Sequence, residues 1–92
     1  GEKYEDRLLQ KIVIGITGAS GAVLGVRTLD AFAAAGVETH LVVSKWGQQT
    51  LEHETALRLD DLRARASHLY SPGDMAAAIS SGSFRTMGMV IA

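Results

Sequence analysis

Three glycines at equal spacing, Gly15, Gly18 and Gly21, with Ser20 between the last two, are the residues of this chain best suited to chemistry. They lie in KIVIGITGASG (Lys11 to Gly21), where an apolar β-branched run breaks into a turn and a helical pattern follows at once. A helix start leaves backbone N–H groups without partners and carries the positive end of the helix dipole, so such a turn can seat a phosphate. Gly18 and Gly21 permit positive φ and close backbone approach, and Ser20 offers a hydroxyl. The dinucleotide fingerprint G-x-G-x-x-G places its first two glycines two apart; here they are three apart, which favours one phosphate over a pyrophosphate. The bland reading is a strand-to-helix turn with Ser20 as its N-cap.

Two further groups sit where they could join that loop. Ser44 and Lys45 follow the second apolar strand, and ligands of open α/β sheets bind outside the carboxyl ends of strands. Lys45 could meet a 2′-phosphate, which keeps an NADP-dependent reductase open, and a solvated strand end is the plain alternative. Glu52, His53 and Glu54 form a polar cluster on a helix end; a carboxylate there could do acid–base work, against the simpler reading of a solvated face. His40 and His68 fall in strands and read as structural histidines. Trp46, Phe84, Arg85 and Thr86 fit packing as well as ligand contact. With no cysteine and three histidines at no ligand spacing, no metal site is expected.

These residues need a parallel sheet to position them. Lys11 to Ile16 is apolar at nearly every position, the mark of a strand buried on both faces in mid-sheet. Ala22 to Ala35 carries Val23, Val26, Leu29, Phe32 and Ala33 on one helical stripe, ended by Gly36. Glu38 to Val43 is the second strand, Gly47 to Glu54 a helix, and Asp60 to Arg65 a short charged helix with Arg58, Arg63 and Arg65 solvated. Ser67 to Tyr70 is a short third strand. A Pro72-Gly73 turn follows, with Asp74 capping a helix over Met75 to Ser80. Phe84 to Thr86 crosses the sheet edge, and Met87 to Ala92 is the fourth strand. The order β-α-β-α-β-α-β predicts an α/β fold, a three-layer doubly wound parallel sheet of flavodoxin-like or Rossmann-like kind.

At 92 residues the chain is one unit at most, with residues 1–10 a polar lead-in and 11–92 part of a single domain. Nine basic against ten acidic residues give no sign of a nucleic-acid footprint or a polybasic membrane patch. No apolar run approaches the roughly 20 residues of a membrane span, and residues 1–10 are unlike a signal peptide, so a cytoplasmic location is expected. A hydrophobic fraction of 47% and a buried strand at the end predict the first part of a larger domain.

Four stretches, GITGASGAVLGVR (Gly15 to Arg27), ETHLVVSKWG (Glu38 to Gly47), LEHET (Leu51 to Thr55) and AAAISSGSFRTMGMVIA (Ala76 to Ala92), closely resemble the UbiX-type flavin prenyltransferases, including those once named as aromatic-acid decarboxylase subunits. The resemblance runs in register from about Lys11 to the last residue. It implies a flavodoxin-like homo-oligomer, typically a dodecamer, that binds reduced FMN and joins a dimethylallyl group from dimethylallyl phosphate to flavin N5 and C6. The product, prenylated FMN, serves a UbiD-type decarboxylase. The family's flavin and phosphate loop falls on Gly18, Ala19 and Ser20, and a second flavin contact on Ser44. Ser20 is also implicated in proton handling, and the family's catalytic glutamate falls on Glu54. The resemblance implies no metal. Members continue past the final strand into a second half that supplies further flavin contacts, basic residues for the prenyl phosphate and a tyrosine, so this chain is expected to be the N-terminal part. A non-catalytic flavin-binding subunit is the other reading.

Overall fold

The computed structural model describes residues 11–19, 21–82 and 88–92. The lead-in over 1–10, Ser20, and the segment 83–87 expected to cross the sheet edge and open the last strand lie outside the described residues.

β1 (Lys11–Ile16) is buried on both faces from Ile12 onward, as its unbroken apolar run requires. Helix α1 (Ala22–Ala34) follows. Gly36 just beyond it takes φ +79°, the left-handed conformation that stops a helix. β2 (Glu38–Val43), α2 (Lys45–Glu54), α3 (Leu59–Arg65), β3 (His68–Tyr70), α4 (Pro72–Ser80) and β4 (Gly88–Ile91) complete the order. All strands are parallel, in the order β3-β2-β1-β4.

One face of the sheet carries the main core. Ile12, Ile14 and Ile16 of β1 and Leu41 and Val43 of β2 meet Ala22, Val26 and Leu29 of α1, Leu51 of α2 and Leu62 of α3. Full burial of each large aliphatic side chain here contributes about 1.5–3 kcal/mol. The connection from β3 to β4 passes from one edge of the sheet to the other, reversing the direction of winding; a right-handed crossover then puts α4 on the opposite face. Met75, its buried residue, lies outside the main cluster, and α4 packs on β2 and β3. The expected three layers and double winding are present.

Two helix starts differ from expectation, each for a capping reason. α2 begins early, at Lys45, because the Ser44 hydroxyl accepts the Gly47 N–H at 2.9 Å, the bond that an N-cap serine makes. α4 begins at Pro72, because Ser71 is the cap and accepts the Asp74 N–H at 3.2 Å. Proline is tolerated there, in the first helical turn. Asp74 is therefore an acid of the first turn and not the cap.

Candidate functional site

Winding leaves β1 in one direction toward β2 and returns to its other side as β4, so the switch point lies over the carboxyl end of β1. There the Thr17 N–H and hydroxyl both donate to the Ala92 carbonyl, at 2.7 and 2.8 Å, and the glycine turn begins. Gly18 and Gly21 take φ +86° and +92°. Gly18 is also confined sterically: a Cβ there would stand 2.7 Å from Thr50 Oγ1 and 2.9 Å from Trp46 Cδ1 of α2. Ala19 is exposed, and its N–H donates to Thr17 Oγ1 at 3.3 Å.

α1 starts without a side-chain cap of its own, since Gly21 occupies the N-cap. Glu54, the last residue of α2, supplies the missing acceptor: its Oε1 receives the Ala22 N–H at 3.1 Å. A carboxylate at a helix start is placed where both the orphan donor and the helix dipole favour negative charge. The helix dipole favours a phosphate group at this turn for the same reason, beside the donor that Glu54 already takes.

Ser44 joins α2 to the end of β1. Its N–H donates to the Ile16 carbonyl at 3.0 Å, and its hydroxyl points to the same oxygen at 3.4 Å while accepting from Gly47. A hydroxyl has two acceptor lone pairs, so one remains for a ligand donor. Gly47 permits this join, because a Cβ there would overlap the Ile16 carbonyl oxygen.

Gly18, Trp46, Gln49, Thr50, His53 and Glu54 line an open cleft of about 520 Å³. The α2 residues among them recur at i, i+3, i+4, i+7 and i+8, one continuous stripe of the helix, while Gly47 and Leu51 are turned inward. Gln49, Thr50 and Gly47 escape the sequence reading, although that stripe of polar and aromatic residues is visible in the spacing. Trp46 is 65% exposed beside the turn. Glu54 and His53 are brought to the loop, whereas Glu52 is not among the lining residues. Lys45 faces a separate cleft with Gln48, Arg63, Tyr70 and Asp74, away from the glycine turn where an NADP reading needs it. Ser20 lies outside the described residues.

Two of the three histidines, His40 and His68, are distant in sequence but meet in space. Parallel register sets His40 of β2 opposite His68 of β3, and their rings stack at 4.6 Å. His40 is buried, with Nε2 against Glu38 Oε2 at 2.5 Å and Nδ1 against the Tyr70 hydroxyl at 2.8 Å. The hydrogen bond from His40, helped by the charges of His40, Lys11 and His68, holds the Glu38 carboxyl below its ordinary pKa against the effect of burial, since both a donor and nearby cations favour the ionised form. Burial, then the Glu38 charge, raises that of the Tyr70 phenol. It is the register between distant strands, invisible to local spacing, that brings these side chains together.

No family model matches the chain. It is 56% identical over 82 residues, 89% of its length, to a probable UbiX-like flavin prenyltransferase of Bacillus subtilis, of which it spans 40%. Its fold matches the crystal structure of AnUbiX (PadA1) in complex with FMN and dimethylallyl pyrophosphate, with TM-score 0.80 and 46% identity over 89% of this chain and 44% of that one. It also matches a dodecameric FMN-dependent UbiX-like decarboxylase of Escherichia coli O157:H7, with TM-score 0.77 and 51% identity over 88% of this chain and 45% of that one. The chain thus spans less than half the length of these relatives. In sequence and in fold it is a homologue, over part of their length, of the UbiX-type flavin prenyltransferases.

Proposed function

We propose that the protein transfers a dimethylallyl group from an allylic phosphate ester to reduced FMN, making prenylated FMN for a UbiD-type decarboxylase. The observation that carries this reading is the convergence of the Gly18 turn, Ser44 and Glu54 over the carboxyl end of β1. The names and ligands of the relatives supply its chemistry. Bound FMN supplies the nucleophilic ring positions, N5 and C6. The chain's own residues bind, orient and move protons.

Gly18, Ala19 and Ser20 hold the flavin and its phosphate through backbone groups and the Ser20 hydroxyl, and Ser44 accepts a hydrogen bond from the flavin with its remaining lone pair. Glu54, fixed by the Ala22 N–H, places a carboxylate where it can exchange a proton with the departing phosphate. Ser20 handles a proton nearer the flavin. A second half of the protein, matching the rest of the relatives' length, supplies the basic contacts to the prenyl phosphate. The working form is a homo-oligomer, a dodecamer as in the E. coli relative, in the cytoplasm. Among the described residues no helix is long and apolar enough to cross a membrane.

The test is incubation of the full-length protein with reduced FMN under anaerobic conditions, with dimethylallyl phosphate in one arm and the pyrophosphate in the other. A flavin heavier by one five-carbon unit is expected in at least one arm. Folded protein that yields no such product in either overturns the activity, and flavin binding without turnover would place the chain among flavin-binding subunits instead.

A further inference from the structure

We propose that Glu38, His40 and His68 form a binding site for a divalent late first-row metal ion, with zinc the preferred occupant, on the sheet face away from the main core. One ligand atom from each of the three lies within 4.8 Å of the other two. The arrangement follows from the sheet. Glu38 and His40 are two apart in β2 and so share a face, and the parallel register sets His68 opposite His40.

A tetrahedral ion with bonds of about 2.0–2.1 Å holds its ligand atoms about 3.3 Å apart. The Glu38–His40 contact at 2.5 Å must open slightly. From a separation of at most 4.8 Å, His68 must turn out of its stack on the His40 ring, so that its ring plane meets the ion, and close by up to about 1.5 Å to reach that geometry. The residues that must move are the ones able to, since His68 is exposed at the start of β3 and the Glu38 side chain is 40% exposed. The fixed member is His40, 5% exposed, whose ring is oriented by the Tyr70 hydroxyl on Nδ1 so that Nε2 is turned to Glu38. Metal-bound imidazoles characteristically carry such a partner on the other ring nitrogen.

The hydrogen shared between His40 and Glu38 occupies the space an ion would take, so binding replaces it. Two imidazoles and one carboxylate suit zinc, cobalt, nickel or copper better than the oxygen-seeking magnesium or calcium, and leave a fourth position to water. Among the described residues, Lys11 Nζ, 3.8 Å from Glu38 Oε2, is an opposing cation. Its long, partly exposed stem lets it withdraw. Occupancy would pin the short edge strand β3 to β2.

The purified protein is titrated with zinc chloride by calorimetry and with cobalt chloride by visible absorption. One zinc per chain, a tetrahedral cobalt spectrum, and a loss of at least tenfold in affinity for His68→Gln are expected. That exposed substitution should leave the circular dichroism spectrum unchanged. His53→Gln, in the separate cleft, should bind zinc as the parent does. Absence of zinc uptake, or uptake that survives His68→Gln in folded protein, overturns the proposal.

Discussion

Glu54 Oε1 accepts the Ala22 N–H at 3.1 Å, so the last residue of α2 caps the first residue of α1, a contact between elements far apart in the chain. One carboxylate thereby serves stability and the proposed proton transfer, and substitutions can separate the two. Glu54→Gln keeps an acceptor oxygen and should hold thermal stability close to the parent, losing only a few tenths of a kcal/mol of charge–dipole attraction. Glu54→Ala removes the acceptor and should cost about 1 kcal/mol. Both should slow prenyl transfer by about 100-fold or more, the scale of a lost general acid or base. Melting curves and single-turnover flavin assays on the two variants check this, and a fully active Glu54→Gln would remove the acid–base role.

The glycine turn makes a second, sharper demand. Gly18→Ala places a Cβ in a left-handed conformation, at a cost of about 1–2 kcal/mol, and drives it against Thr50 and Trp46. Since Trp46 is exposed and can swing away, the fold should survive while the turn shifts. FMN affinity should fall at least tenfold with circular dichroism unchanged. Equal affinity in the two proteins would mean that the turn does not hold the flavin.

Much of this site was legible because its determinants are local. The unbroken apolar run of β1 and the three glycines follow one another without a gap, so the strand and the turn could be read directly. The stripe read for α1 holds at Val26 and Leu29 but not at Val23 and Ala33, which are exposed because Ala22 and Gly25 take the inward positions. Helix starts were harder. Ser71-Pro72-Gly73-Asp74 offers two capping residues around a proline, and the choice of Ser71 depends on proline's tolerance in the first turn. The contact of Glu54 with Ala22, and that of His40 with His68, depend on helix lengths and strand register between elements distant in sequence, which no local pattern encodes. The stripe from Trp46 to His53 could have been seen, but a polar helix face ordinarily means solvent.

Trp46 is the single tryptophan of the chain and stands 65% exposed at the cleft mouth, so it reports on ligands there without labelling. FMN should quench its emission saturably, with the same midpoint as direct binding measurements. Quenching that rises linearly with FMN and never saturates would indicate collision in solution and a flavin bound elsewhere.

Gly47 tests whether the site depends on the seating of α2 against β1. Its missing side chain lets the helix press on the Ile16 carbonyl, which a Cβ would overlap, and backbone cannot yield as a side-chain tip does. Gly47→Ala should therefore push α2 outward and weaken the Ser44 bonds to Ile16, although alanine is ordinarily the better helix former by about 1 kcal/mol. Overpacking of this kind costs about 1–3 kcal/mol, which outweighs the propensity gain. Urea denaturation should show a net loss of stability, and FMN affinity should fall with it because Ser44 moves with the helix. A more stable Gly47→Ala protein would mean that α2 can slide along β1 without strain, and Ser44 would then lose the fixed position on which its flavin contact depends.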